Sequence, residues 1–285
     1  MKQSVLSAIS QSSFYSKDDV RIMNNIASTK DGFTMQFANT KDVRIDRTTF
    51  SGNQQINIAI EAAEMNVTHS NFTDGKNNHI SALHSKIRAY GNSFFNSSDP
   101  KAEGHGIYCK DCTHLQIYMC NFENLEALHG AAIQIRDQMK TETEIVGCTF
   151  NGNFAYERAG ALDLREAGKV VIRNNTFKGN KVVNPSYRFS DGGAIYYACR
   201  LQRIDDKEFC DTVLDSNLFT ENEAQNKGGA MRYINRNFTT VYSEQATGRR
   251  MLFDGTEHGE ANFIDTNNYV QNQASQSDEI ASYPG

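Results

Sequence analysis

Residues 143–150 read TEIVGCTF and residues 170–177 read VVIRNNTF, two runs that close on Phe150 and Phe177. In each, an isoleucine (Ile145, Ile172) stands five places before the phenylalanine, and a small polar or thiol residue (Cys148, Asn175) stands two places before it. The frame fits seven further runs: AISQSSF (8–14), VRIDRTTF (43–50), MNVTHSNF (65–72), IRAYGNSF (87–94), LQIYMCNF (115–122), TVLDSNLF (212–219) and NFIDTNNY (262–269). The position five before the aromatic is apolar in all nine, from Ile9 and Ile45 to Leu214 and Ile264. The position two before it is small and polar or Cys in all nine, including Ser12, Thr48, Ser70, Asn92, Cys120, Asn217 and Asn267. Self-similarity of this kind decides the architecture before any local propensity does.

The aromatics follow one another at 36, 22, 22, 28, 28, 27, 42 and 50 residues. A core period of 22–28 is one coil of a parallel β-helix, and the longer intervals hold insertions. The Leu ladder of a leucine-rich repeat is absent, and helical repeats need longer units with 3.6 periodicity. Each coil carries a second alternating run: FTMQF (33–37), INIAI (56–60), SALHS (81–85), GIYCK (106–110), AIQIR (132–136), ALDLR (161–165), AIYYA (194–198) and AMRYI (230–234). Alternation is the mark of a strand with one buried face. Gly160, Gly192-Gly193 and Gly228-Gly229 introduce the later ones, where the chain turns tightly. The small polar column suits left-handed turns and stacked amides, and stacked Phe fills the interior. The expectation is an all-β, single-stranded right-handed parallel β-helix of about nine coils, roughly 40 Å long at ~4.8 Å per coil, forming one solenoid domain over 1–285. Insertions fall near 181–191, 200–211 and 235–259. Both ends fit the repeat frame, and QNQASQSDEIASY (271–283) reads like the start of another coil, so the chain reads as a segment of a longer solenoid.

Composition agrees. The 285 residues are 39% hydrophobic and 22% charged, which suffices for a core, with only 3 Pro. A net charge of −5 gives no electrostatic footprint for nucleic acid. No apolar run reaches the roughly 18 residues of a membrane helix. No signal peptide opens this segment.

Two further motifs carry a resemblance. Gly192-Gly-Ala-Ile195, with Gly228-Gly-Ala-Met231, and Phe-x-x-Asn at Phe50–Asn53, Phe150–Asn153, Phe177–Asn180 and Phe219–Asn222 resemble the repeats of chlamydial polymorphic outer-membrane proteins and of pectin-lyase-like surface proteins of protists. Phe72, Phe94 and Phe122 lack the Asn three residues on, so the earlier coils depart from the pattern. The resemblance covers most of the chain as architecture. It implies a right-handed β-helix used for surface display, adhesion or matrix building, outside the cell or at its surface, without chemistry and without a cofactor. Fold alone does not fix function. The alternatives are a polysaccharide-degrading or carbohydrate-binding protein and an intracellular scaffold subunit of a large assembly. Expected partners are other proteins or further coils of the same chain, and glycans.

Candidate chemistry is sparse. Gly104-His105-Gly106 resembles the Gly-His-Gly of polygalacturonases, but the Asp pairs of such an enzyme are here Asp18-Asp19 and Asp205-Asp206, in the wrong places. A lyase needs carboxylates gathered across coils. Asp163, Arg165, Glu166, Arg136 and Asp137 are candidates, to be weighed against a solvated face of mixed charge. The seven His, among them His79, His84 and His129, lack metal-site spacing and read as solvated or turn residues.

Cys109-Lys-Asp-Cys112 is a lone Cys-x-x-Cys with neither a second pair for zinc nor a helix signal for redox work. Cys120 and Cys148 share a column, either as a disulfide or as stacked thiols. Cys199 and Cys210 bracket an insertion that a disulfide would close. Asn66, Asn71, Asn96, Asn174 and Asn237 begin Asn-x-Ser/Thr sites, of which Asn66 should point outward. In the insertions, Tyr187, Arg188, Phe189, Arg203, Tyr242, Arg249 and Arg250 have the chemistry of partner contacts.

Overall fold

The computed structural model describes residues 35–136, 142–165, 168–184, 190–199, 212–235, 239–242, 251–254, 263–265, 267–276 and 280–284, with 4–5, 12–15, 20–23 and 25–27. Its described residues form strands and turns, without helix. Three long sheets run the length of the protein, and every pairing within them is parallel, one coil to the next. The protein is a parallel β-helix, as the repeat predicted.

Each coil contributes three strands. Val43–Asp46, Thr49–Ser51 and Ile58–Glu61 are one set, and Glu64–Thr68, Asn71–Thr73 and Ile80–Leu83 the next. The eight-residue run read as one strand is therefore two, split by a corner. The corner residue adopts a left-handed backbone: Arg47, His69, Gly91, Met119, Gly147, Asn174 and Ser216 have φ between 46° and 66°. Most are not glycine, so each accepts about 1–2 kcal/mol of strain that stacking must offset. The small polar column, expected to take the left-handed turn itself, instead lies one residue further on and is buried.

Inside, Phe50, Phe72, Phe94, Phe122, Phe150, Phe177, Phe219 and Tyr269 pair in register. Their rings stack at 4.6–5.1 Å and within 14° of parallel. Such pairs contribute about 0.5–1.5 kcal/mol each beyond their buried area. Phe14 is not the first of the column. It pairs with Phe37 in another sheet, while Ala27 sits under Phe50, so the 36-residue interval is not a coil.

Two polar ladders line the corners. In the first, the backbone N–H of Thr48 donates to Ser70, Ser70 to Asn92, Asn92 to the Cys120 sulfur, Cys120 to the Cys148 sulfur, and Cys148 to Asn175. In the second, Asn153, Asn180, Asn222 and Asn272 accept from the coil before and donate to the Phe122, Phe150, Phe177 and Phe219 carbonyls. The amide stacking expected of the column two before the aromatic runs through Asn175, Asn217 and Asn267, the Phe-x-x-Asn residues add a second ladder that was not expected, and both satisfy buried backbone groups that no strand reaches.

The coil changes width along the rod. Phe50 to Ile58 and Phe72 to Ile80 take 8 residues, whereas Phe94 to Ile107 takes 13, Phe122 to Ile133 takes 11 and Phe150 to Leu162 takes 12. The added chain extends the aromatic sheet sideways through Asn121–His129, Phe154–Arg158, Lys181–Val182 and Glu223–Lys227. Lys181–Val182 thus belongs to the rod rather than to the expected insertion at 181–191. In the last insertion Thr239–Tyr242 and Met251–Asp254 form an antiparallel pair.

Candidate functional site

The strands Ile107–Lys110, Ile133–Arg136, Leu162–Arg165, Ile195–Cys199 and Met231–Asn235 alternate, so one side-chain set fills the core and the other points out. Register places Tyr108, Gln134, Asp163, Tyr196 and Arg232 in one outward column. Lys110, Arg136, Arg165 and Ala198 form the next. The widened coils lay a third line beside them, where Glu103 bridges His129, and Arg158, Asp191 and Lys227 follow in the same sense.

An outward column is expected to be wet, and this one is not. Gln134 and Asp163 are 0% exposed, Tyr196 6% and Arg232 5%. The Asp163 carboxylate accepts from Gln134 Nε2 at 3.1 Å and faces Arg165 Nε at 3.0 Å. Burial raises its pKa above the ordinary carboxylate value, against the pull of Arg165, Arg158 and the Gln134 hydrogen bond. Arg136 Nη1 donates to both oxygens of Glu103, at 3.1 and 3.0 Å.

His129 Nε2 lies 3.2 Å from Arg158 Nη2 and 3.3 Å from Glu157. Burial, then Arg158, Arg165 and Arg136, push its pKa down to about 3, so the ring is neutral and accepts the Arg158 proton at Nε2. The Arg158 guanidinium carbon stands 5.5 Å from the Tyr196 ring centroid, in cation–π range. Asp191 accepts from Asn226 at 2.8 Å and faces Arg232 at 3.7 Å, and burial raises its pKa too. The result is a fixed array of guanidinium groups over a floor of carboxylate and amide.

The structure therefore brings Arg136, Asp163 and Arg165 together, but Asp163 is a buried residue and not part of a solvated mixed-charge face. Asp137 and Glu166 lie outside the described residues. His129, Arg158, Tyr196, Asp191 and Arg232 complete the cluster without having been singled out for it. Aligning AIQIR, ALDLR, AIYYA and AMRYI already sets Gln134, Asp163, Tyr196 and Arg232 in one column, but nothing in those strings says that other chain covers it. Among the described residues, no three His, Cys, Asp or Glu side chains are grouped to hold a metal ion. No helix there is long and apolar enough to cross a membrane.

The histidine expectation is corrected at three positions. His79 and His105 are 0% exposed and His129 5%. Asn57 Nδ2 donates to His79 Nδ1 at 2.6 Å, and His79 Nε2 donates to Ser97 Oγ at 2.8 Å. His105 Nδ1 donates to the Glu126 carbonyl at 2.9 Å, and the two rings lie 5.4 Å apart. His105 faces the interior, so the Gly-His-Gly here cannot meet a polymer outside the rod.

Cys120 and Cys148 do share a column, yet they are free buried thiols that serve as hydrogen-bond acceptors rather than a disulfide. Among the described residues the disulfide is Cys109–Cys112, with Cα atoms 6.0 Å apart. It spans the turn after Ile107–Lys110, a use of the Cys-x-x-Cys that the sequence reading passed over. Cys210 lies outside the described residues, and only the backbone of Cys199 is described.

Of the sequon residues, Asn71, Asn96 and Asn174 are exposed, and Asn66 is half-buried and donates to Asp42 at 3.2 Å. Asn237 lies outside the described residues. So do Tyr187, Arg188, Phe189, Arg203, Arg249 and Arg250, and Tyr242 is described only as backbone in its strand.

No curated protein and no solved structure matches the chain significantly. The family described as "Right handed beta helix region" matches residues 8–177 and again 105–250. These two matches overlap and take in most of the coils described above, and with three parallel sheets stacked in register they show that the chain belongs to the right-handed β-helix family.

Proposed function

We propose that the protein is a non-catalytic structural and adhesive module of the cell surface, a rigid spacer whose insertions carry contacts to protein partners or to further coils. One observation carries this reading: the interior is spent on axial continuity. The Phe stack and both polar ladders run from coil to coil, and each buried amide of the Asn153–Asn272 ladder is bonded to its neighbours. A rod built this way resists bending and pulling, because each coil is held by the next over its whole perimeter. Intact mass of natively produced protein, with and without glycosidase, tests the location. Glycan mass at Asn71, Asn96 or Asn174 supports it, and a bare chain with every thiol reduced sinks it in favour of an intracellular scaffold.

The Arg136–Arg158–Arg165 cluster around Asp163 favours a second reading, a carbohydrate-binding or carbohydrate-degrading protein. Mixed guanidinium and carboxylate groups beside Tyr108 and Tyr196 are the chemistry that grips a hydroxylated ring. Release of reducing or unsaturated ends from acidic polysaccharides would support it over the spacer. No turnover, with Asp163→Asn indistinguishable from the parent, would set catalysis aside.

A further inference from the structure

The flat outer face made by Lys86–Tyr90, His114–Tyr118 and Glu142–Val146 carries two charges that the chain itself does not neutralise. Arg88 donates to the Gln116 amide oxygen at 2.8 Å, and Glu144 accepts from the Tyr118 hydroxyl at 2.5 Å. Both partners are neutral, and among the described residues neither charge has an opposite charge in an ion pair. Two of the large apolar side chains that stand in water are here as well: Tyr90 is 48% exposed, and Met119, at the corner beside Tyr118, is 59% exposed.

The register gives this face a pattern. Arg88, Gln116 and Glu144 form one outward column, with Lys86, His114 and Glu142 on one side of it and Tyr90, Tyr118 and Val146 on the other. Basic residues stand one coil before the His114–Tyr118 strand, and acidic residues one coil after it. One coil further out the signs invert, with Glu64 beyond Lys86 and Lys169 beyond Glu142. The face is therefore antisymmetric in charge about its middle strand.

An isologous interface needs such a surface, because the same patch must complement itself. When a second copy is turned over about a two-fold axis along the His114–Tyr118 strand, each column meets itself with the coil order reversed. Arg88 then faces Glu144 of the second copy, Lys86 faces Glu142, Glu64 faces Lys169 and Tyr90 faces Val146, each twice. Gln116, Tyr118 and Met119 lie at the axis and meet their own copies, which uncharged groups tolerate. Three coils out Asp46 would face Asp215, but each already holds an arginine, Arg47 at 2.8 Å and Arg173 at 2.9 Å. A parallel pairing would instead set Arg88 on Arg88 and Glu144 on Glu144.

We propose that this face pairs two copies of the chain side by side and antiparallel, centred on the His114–Tyr118 strand. Five strands at ~4.8 Å and five residues at ~3.3 Å give about 400 Å² of flat face per copy. A standard interface takes roughly 800 Å² per partner, so the dimer is a reversible one that forms at micromolar concentration. The inference goes beyond the spacer reading and does not depend on it, because the oligomeric state is a property of the isolated chain.

Sedimentation equilibrium of the whole chain from about 5 to 500 µM tests it. The parent passes from a 32.0 kDa monomer to a dimer across that range. Arg88→Glu and Glu144→Arg each weaken the dimer about tenfold or more, because each sets like charges face to face twice. The double variant recovers the dimer, and an equimolar mixture of the two single variants forms a heterodimer, since every facing pair is opposite again. Within one chain the two positions are two coils apart, so a change in folding does not mimic that rescue. Lys86→Glu with Glu142→Lys puts the same question to the neighbouring column should Arg88→Glu fold poorly. A parent that stays monomeric throughout overturns the proposal. So does a dimer that both single variants keep, or one that neither the double variant nor the mixture restores.

Discussion

Acid should loosen the rod at His79 and His105, by an amount the structure allows to be worked out. Both rings are sealed inside, where the coil widens, and burial is the first cause that lowers the pKa of each. For His79 the second is His105 itself. For His105 the Asp99 and Glu126 charges and the Glu126 and Gly75 backbone oppose the shift without reversing it. The bonding agrees, because His79 Nδ1 accepts from Asn57 and a second ring proton would point into that amide. A histidine whose folded pKa lies below its unfolded value near 6.5 stabilises fully above pH 6.5, and the contribution falls as the unfolded chain takes up protons. From pH 7.5 to 5.5 a ring that stays neutral throughout loses about 1.4 kcal/mol, which sets about 2.7 kcal/mol as the ceiling for the pair. Asp163 and Asp191, whose folded pKa values are raised, act in the opposite sense as the pH falls toward theirs. They are common to parent and variant and cancel. Urea midpoints by circular dichroism at pH 7.5, 6.5 and 5.5 should show the parent losing stability faster than His79→Gln/His105→Gln, the gap growing by about 1–3 kcal/mol across the range. Parallel curves for the two proteins would refute the reasoning.

Other outcomes follow from the same packing. Asn180→Ala deprives Asn153 N–H and Nδ2 of their acceptor and the Phe150 carbonyl of its donor, and should cost about 2–5 kcal/mol in urea unfolding. A cost below 1 kcal/mol would mean the ladder is ornamental. Gly193→Ala would set a Cβ 2.0 Å from the Gly229 carbonyl and 2.7 Å from Glu223 N. Both obstacles are backbone, so the variant should lose coil pairing there, read as faster amide exchange across Ile195–Cys199 and Met231–Asn235. Mass mapping after alkylation of the native protein should leave Cys120 and Cys148 unlabelled until denaturant is added and recover Cys109–Cys112 as a disulfide. Ready labelling of Cys148 without denaturant would contradict its burial.

The fold was legible because stacking forces like onto like. Phe over Phe and Asn over Asn need the same residue at the same place in every coil, so the interior is written as columns. The corners are less legible. Arg47, His69 and Met119 hold a left-handed φ that their identity does not announce, and only Gly91 and Gly147 betray it. That is why the run from Val43 to Phe50 read as one strand. Phe14 misled for a related reason, since Phe37 gives the neighbouring sheet its own aromatic and a single phenylalanine does not say which face it fills. The candidate site was half legible. Its column can be read from alternation, but its burial depends on the sideways chain of Asn121–His129 and Phe154–Arg158, a tertiary fact with no local signature.

The widening of the coil joins these observations. Seven residues separate Phe72 from Ile80 on a narrow perimeter, and the next coil spends twelve between Phe94 and Ile107. Where a narrow coil meets a wide one, the cross-sections do not match, and the space left cannot be filled by the column of small residues that lines the wide coils. Ala132, Ala161, Ala194 and Ala230 hold that column further along. At the step itself, His79 packs against Phe72 and Phe94 at 5.6 and 6.1 Å and takes the room that Gly75 leaves, where a Cβ would lie 2.7 Å from its ring. A Cβ at Gly106 would lie 3.1 Å from the Phe122 ring and 2.5 Å from the Ala132 carbonyl. The extra chain that creates the step is also what lays His129, Arg158 and Asp191 over the outward column. The acid-sensitive seam and the covered polar column thus have one cause, and shortening the chain both between Phe94 and Ile107 and between Phe122 and Ile133 to the narrow spacing should remove the cover from Gln134 and the need for a histidine at 79 together.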